Sequence, residues 1–300
     1  MDGVLVIDKP AGPTSHDVVA VVRKLLGTKR IGHTGTLDPF ATGVLVLLTG
    51  QATRLLQFLE NDEKEYEARI RFGFETDTAD STGKITGNAV GMDKVVKILE
   101  ETDWESVAGG FRGESWQIPP MYSAKKVAGK KLYELARRGV EIERRPVKIN
   151  VSYLEIIHND SSLAPDEAIL RLHCSAGTYV RTLAEDIGRA VGTGAHLTAL
   201  RRTRAGKFTL QESVTLEDLK SDATPSAYLR PVTDAVAHYP VFILPESRIG
   251  PTGNGMPTRI GSGQFGAGEW VRLADNNGKL IAMAKFDEKE KMLRPKLVFV

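Results

Sequence analysis

The chain has 300 residues, 41% of them hydrophobic and 26% charged, which excludes a disordered or fibrous chain and suits one large folded unit plus a small one. A net charge of +2 names no partner by itself, and the lone Cys174 excludes a disulfide framework and fits a reducing compartment. No apolar run approaches the roughly 20 residues that span a membrane, and Met1-Asp2-Gly3-Val4 lacks a signal peptide's basic start, so a cytoplasmic protein is expected.

Val4 to Ile7 read as a short strand. It enters the turn Lys9-Pro10-Ala11-Gly12-Pro13-Thr14-Ser15. Ser15 then opens a helix with Val18, Val19, Val22, Leu25 and Leu26 on one face and Gly27 as its stop. Gly27 to Thr34 comes close to a phosphate-binding loop, but His33 stands where that loop needs lysine, and a helix precedes it instead of a strand. Next comes Gly32-His33-Thr34-Gly35-Thr36-Leu37-Asp38-Pro39-Phe40-Ala41-Thr42-Gly43. No other carboxylate lies between Asp17 and Glu60. The glycines aim the backbone, and Pro39 confines Asp38 to extended angles. The loop runs into Val44-Leu45-Val46-Leu47-Leu48, a continuous apolar run expected to be a buried strand. Asp38 therefore stands at the mouth of a core element, a rigid mount for a reacting group. An Asp-Pro taken blindly is most often a plain turn. Here the flanking Gly and Thr residues already supply turn chemistry, which leaves the acid to be explained.

The string from Gly32 to Leu45 resembles the signature of the TruB family of tRNA pseudouridine synthases. The resemblance implies that Asp38 is the catalytic aspartate. It also makes His33 the residue that takes the space vacated when the target uridine flips out; on the residues alone, a polar loop contact fits His33 equally well. Lys-Pro-x-Gly-x-Thr-Ser at 9–15 resembles a second family motif, expected to buttress the active-site loop.

Ala52 to Leu59 predicts a helix. Tyr66, Ala68, Ile70, Phe72 and Phe74 alternate with Glu67, Arg69, Arg71 and Gly73, a strand with one buried face. Tyr66 lies on that face and fits a core aromatic; the resemblance makes it the ring that stacks on the target base and takes part in proton transfer. Thr76 to Gly83 is a polar turn, similar to a family segment near the site. Asp93 to Glu101 is helical. Ile118-Pro119-Pro120 and Gly129 mark an insertion, with a basic helix expected from Leu132 to Arg138. Lys125 to Lys148 carries nine Lys or Arg against three Glu. The resemblance makes about 115–146 a thumb that clamps the RNA stem-loop and orders on binding.

Val147 to Ile157 and Ala168 to Cys174 predict strands. Ser175-Ala176-Gly177 then turns into a helix from Thr178 to Val191. Cys-Ser-x-Gly-Thr-Tyr-x-Arg resembles a further family motif, which puts Tyr179 and Arg181 in the substrate pocket. There Arg181 could pair with Asp38 or bind a phosphate. Leu200 matches the family's apolar residue lining the uracil pocket. Spacing alone leaves Tyr179 and Leu200 as core packing and Arg181 as a surface residue. Arg201, Arg202, Arg204 and Lys207 form a second basic cluster, while acids gather at 60–67 and 100–105. Such segregation suits a polyanion facing one side.

Glu212 to Leu219 and Pro231 to Ala237 read as short helices. From Tyr239 prolines and glycines multiply, with short strands near Trp270 to Leu273, Leu280 to Phe286 and Leu297 to Val300. This small all-β module carries a net charge of +3 over 241–300 and resembles the PUA-like RNA-binding domain. Gly261-Ser-Gly263-Gln-Phe-Gly266 fits a dinucleotide-binding pattern by letter, but no helix is expected after it. The six histidines are scattered, and His173 and Cys174, adjacent on a strand, point to opposite faces. No metal site is expected.

The fold class is α+β. By resemblance it is a mixed, largely antiparallel pseudouridine-synthase sheet with flanking helices, forming a catalytic domain over 1–238 and a PUA-like domain over 239–300. The expected activity is isomerisation of uridine 55 in the T-loop of tRNA, by a monomer needing no cofactor or metal. Two other readings stand beside it: a non-catalytic RNA-binding module, and a hydrolase of the N-glycosidic bond. The hydrolase would call for a second carboxylate, and none is near Asp38 in sequence.

Overall fold

Short apolar and alternating runs become strands along this chain, and amphipathic stretches become helices. The computed structural model describes residues 1–87, 89–122, 126–127, 130–131, 142–261 and 263–299, with backbone alone for 126, 127, 130 and 131. In chain order the strands are β1 (Gly3–Lys9), β2 (Ile31–His33), β3 (Thr42–Thr49), β4 (Lys64–Phe72), β5 (Glu75–Thr76), β6 (Ile85–Thr86), β7 (Gly113–Gln117), β8 (Lys126–Val127) and β9 (Lys130–Lys131). They continue with β10 (Val147–Ile157), β11 (Glu167–Cys174), β12 (Ala195–Ala205), β13 (Phe208–Thr209), β14 (Val214–Thr215), β15 (Val241–Ile243), β16 (Thr258–Arg259), β17 (Trp270–Ala274), β18 (Leu280–Asp287) and β19 (Met292–Val298).

Among the described residues the large sheet has ten strands. Eight run in the order β14-β1-β3-β12-β4-β11-β10-β7, with β2 paired to β3 and β13 to β12. Only β1–β14 and β3–β12 are parallel pairs, so the sheet is mixed and largely antiparallel, as expected. The alternation in β4 survives folding. Ala68, Ile70 and Phe72 are buried under the helices Trp104–Phe111 and Val180–Val191. The opposite face of the sheet is open and carries paired charges: Glu65 with Arg204 at 3.1 Å, Glu67 with Arg171 at 3.3 Å, Arg69 with Glu167 at 3.6 Å and Arg71 with Asp166 at 2.6 Å.

The helix Ser15–Leu26 starts at a capping box in which Thr14 and Asp17 bond each other's backbone, and it ends on Gly27 in the left-handed region. Its apolar face packs on Leu5, Ile7, Leu45 and Leu47. β15, β17, β18, β19 and β16 form a separate five-stranded sheet. Leu280, Met283 and Phe299 of that region share one core with Val4 and Val44 of the large sheet and Phe58 of the helical turn Leu56–Leu59, and the Phe58 ring meets Tyr239 and Trp270 edge-on.

Several elements differ from the sequence reading. The helix expected over 52–59 is a 3-10 segment, Gly50–Leu55, followed by one α-helical turn, Leu56–Leu59. The helix expected over 212–219 is divided between a 3-10 turn, β14 and the helix Leu216–Ser221. Two helices were hidden by their own glycines and prolines: Trp104–Phe111, whose last turn holds Gly109 and Gly110, and Glu246–Gly253, which contains Pro251. Of the strand expected over 297–300, Leu297 and Val298 are the end of the longer β19, and Val300 lies outside the described residues. The basic helix expected over 132–138 lies outside the described residues.

Gly43 fixes how the Asp38 loop joins β3. Its φ is +102°, and a Cβ there would meet the Arg202 carbonyl oxygen at 2.2 Å. Gly43→Ala is expected to destabilise the fold by roughly 2–4 kcal/mol through backbone strain and steric clash, measured as a shift in the urea midpoint at unchanged slope.

Candidate active site

The loop from Gly35 to Val44 is suspended by side chains that bond its backbone. Buried Lys9, at the end of β1, donates from Nζ to Ala41 O at 2.7 Å, Pro39 O at 3.2 Å and Pro10 O at 2.9 Å. Burial lowers its pKa to about 8. Ser15 Oγ accepts from Leu37 N at 2.9 Å and donates to Leu37 O at 3.2 Å, and Gly12 N donates to Pro39 O at 2.8 Å. The Lys-Pro-x-Gly-x-Thr-Ser turn thus buttresses the loop, as its resemblance implied. Arg202 Nε donates to Val44 O at 2.7 Å, and its Nη2 to Gly35 O at 3.1 Å. Loop carbonyls buried without such partners would each cost free energy.

Asp38 projects from this loop onto Arg181. Arg181 Nε lies 2.9 Å from Asp38 Oδ2, and Nη2 lies 3.2 Å from Oδ1, a two-pronged pairing. The Arg181 side chain is 5% exposed, while 33% of the Asp38 side chain remains open. Enclosure by protein pushes the Asp38 carboxyl up from its ordinary pKa, Arg181 pulls it down, and the charge of Asp80 adds to the rise. Arg181 is saturated beyond Asp38. Nη1 donates to Thr78 O at 2.9 Å and approaches Asp80 Oδ2 at 3.6 Å, and Nη2 donates to Tyr122 O at 2.6 Å.

Asp38, Tyr66, Tyr179, Arg181 and Leu200 line one cavity of about 270 Å³, together with Lys64, Arg202 and the turn 175–178. Tyr66 sits on β4 opposite Leu172 of β11 and Arg202 of β12, and burial raises its phenol pKa. Tyr179 caps the helix Val180–Val191. Its peptide is gripped by the Gln117 side chain, which accepts from Tyr179 N at 2.8 Å and donates to Tyr179 O at 3.0 Å. His33 is not among the cavity-lining residues. It ends β2 beside His16, ring centroids 5.6 Å apart and edge-on, with its buried Nδ1 unpartnered.

Sequence reading missed Asp80, Gln117, Lys64 and Arg202. Asp80 is 4% exposed and lies 42 residues beyond Asp38, in the polar turn to which no role was given. It accepts from Thr78 Oγ1 at 2.8 Å, Thr82 N at 2.9 Å and Thr82 Oγ1 at 2.5 Å. Its one detectable signal was the Thr-x-Asp-x-Thr spacing of a side-chain-closed turn. Among the described residues no three His, Cys, Asp or Glu side chains gather as metal ligands would. The arrangement offers one oriented carboxylate facing a cavity flanked by two aromatic rings and a leucine. That chemistry fits nucleophilic attack or proton abstraction on a planar guest.

Residues 23–180 match the family model described as TruB family pseudouridylate synthase (N terminal domain), and residues 181–237 match that of the tRNA pseudouridylate synthase B C-terminal domain. The tRNA pseudouridine synthase B of Heliobacterium modesticaldum is 40% identical over 301 residues, covering 100% of this chain and 96% of that one. That of Caldanaerobacter subterraneus subsp. tengcongensis is 42% identical over 305 residues, covering 100% and 99%. Among solved structures, an H/ACA RNP bound to a substrate RNA containing 2'-deoxyuridine has a chain that superposes with a TM-score of 0.70 at 27% identity, covering 99% of this chain and 85% of that chain. A chain of a Cbf5-Nop10-Gar1 complex gives 0.69 at 28% identity, with the same coverage.

Burial, with the charges of His16 and Arg202, lowers the His33 pKa from 6.5 to about 4. Between those values the unfolded chain binds a proton that the folded chain refuses. Stability should therefore fall as pH drops through that window, by about 3 kcal/mol at most for this group. His33→Gln should remove that part of the acid limb, seen by comparing urea unfolding near neutrality and near pH 4, and an NMR titration should put the His33 midpoint well below 6.

Proposed function

This chain belongs to the TruB family of pseudouridylate synthases, and from that premise we propose that it converts uridine 55 in the T-loop of tRNA to pseudouridine. The observation that carries the reading is the Asp38 carboxylate, held by Arg181 at 2.9 Å on the wall of a cavity it shares with Tyr66, Tyr179 and Leu200. In the reaction the N1–C1′ bond breaks, the uracil turns, and a C5–C1′ bond forms while the C5 hydrogen is lost and N1 gains one. No electron is gained or lost overall.

Asp38 serves the bond-breaking step either by attack at C1′ or by taking a ribose proton, and its geometry suits both. Tyr66 stacks on the uracil, while Tyr179 and Leu200 close the pocket and keep water from the detached base. Arg181 orients Asp38 and offsets its charge. A base held in a folded T-loop must be extruded at a cost of a few kcal/mol. His33, at the end of β2 just before the loop that bears Asp38, fills the vacated space. Residues 1–238 act as the catalytic unit, about 115–146 as the thumb, and 239–300 as an added RNA-binding surface. The protein works as a cytoplasmic monomer.

The hydrolase reading gains little from Asp80. That second carboxylate does come near, but it is enclosed behind Arg181 and already accepts three hydrogen bonds. Asp38→Asn is expected to reduce tritium release from C5-labelled tRNA by on the order of 1000-fold or more, with tRNA affinity retained. His33→Ala should slow release much less, because insertion assists extrusion and does no chemistry. Turnover of Asp38→Asn at a comparable rate would reject the assignment, and free uracil among the products would favour the hydrolase.

A further inference from the structure

Arg202 is among the largest fully buried side chains of the described residues, at 1% exposed. No carboxylate among the described residues ion-pairs with it, although its neighbours Arg201 and Arg204 pair with Asp8 and Glu65. An enclosed guanidinium without a counter-ion is costly, so its donors must be well used. They go to the two ends of the Asp38 loop: Val44 O at 2.7 Å and Gly35 O at 3.1 Å.

The same side chain reaches the other half of the cavity. Arg202 is the cross-strand partner of Tyr66 between β12 and β4, and it lines the cavity with Tyr66 and Leu200; its charge opposes the rise that burial gives the Tyr66 phenol pKa. Lys9 already braces the crest of the loop through Pro39 and Ala41. What Arg202 adds is a tie between the loop bearing the acid and the strand bearing the ring.

We propose that Arg202 is a positioning residue for the reaction, setting the spacing between the Asp38 loop and Tyr66 and orienting the Tyr66 hydroxyl. The inference rests on the isomerase reading above. A lysine at 202 would keep the charge, but one ammonium cannot span both carbonyls as a planar guanidinium does.

The test measures single-turnover tritium release from C5-labelled tRNA, tRNA affinity by filter binding, and thermal midpoint. The proteins are the unaltered full chain, Arg202→Lys, Arg202→Met, Tyr66→Phe and the double variant Tyr66→Phe/Arg202→Lys. Arg202→Lys is expected to slow the chemical step about 100-fold, the scale of an ångström-sized misplacement, with affinity and thermal midpoint near those of the unaltered chain. In the Tyr66→Phe background the same substitution should cost a distinctly smaller factor, because the two act together. If Arg202→Met does not fold, Arg202→Lys carries the test alone. A rate for Arg202→Lys within about threefold of the unaltered chain would overturn the proposal. So would an equal loss in both backgrounds accompanied by a lowered thermal midpoint, which marks support of the fold alone. Absence of tritium release by the unaltered chain would overturn the isomerase reading itself, and this inference with it.

Discussion

Enclosure by protein pushes a carboxylate toward its neutral form, and at Asp38 the opposing pull comes from the Arg181 guanidinium. The pairing needs more than two residues. Arg181 also takes the Thr78 carbonyl, the Tyr122 carbonyl and the flank of Asp80. Four segments far apart in sequence therefore converge on one guanidinium: the loop 35–44, the turn 76–83, the chain leaving β7, and the helix Val180–Val191. Stripping one partner from a buried ion pair costs about 3–5 kcal/mol, so the pairing rewards only the arrangement in which all four arrive. The pairing of β4 with both β11 and β12 brings them there.

The loop itself is held by a different use of charge. Lys9 and Arg202 do not neutralise acids at contact distance; they collect carbonyl oxygens, at Pro39 and Ala41 for one and at Gly35 and Val44 for the other. Charge-assisted bonds of this kind are roughly twice as strong as neutral ones. They stiffen a segment whose only anchors in the large core cluster, among the described residues, are Leu37, Phe40 and Ala41. Glycine makes the approach possible: at Gly43 the loop passes so close to Arg202 that no side chain fits.

Much of this was legible before folding. Asp38 announced itself by isolation among Gly, Thr and Pro, and the period of two in β4 gave its buried face, Tyr66 included. What escaped notice was what only topology supplies. Asp80 reads as a turn former, Gln117 carries no signal, and Arg202 reads as one member of a basic cluster. Their partners in the site lie far along the chain: Arg181 for Asp80, Tyr179, 62 residues on, for Gln117, and Gly35, 167 residues back, for Arg202. The helix Trp104–Phe111 escaped for a local reason, since consecutive glycines at its end contradict its propensity and packing on β10 overrides them.

The back of the large sheet has its own consequence for how a polyanion would find this molecule. Along β4, β11 and β12 each arginine there is matched by an acid within 4 Å, so the field of that face cancels within a few ångströms and is silent to anything approaching through salt water. Among the described residues Arg202 and Lys64, which line the cleft, form no such ion pair. Diffusional encounters would thus be biased toward the productive orientation by muting one surface, without any large excess of positive charge on the whole.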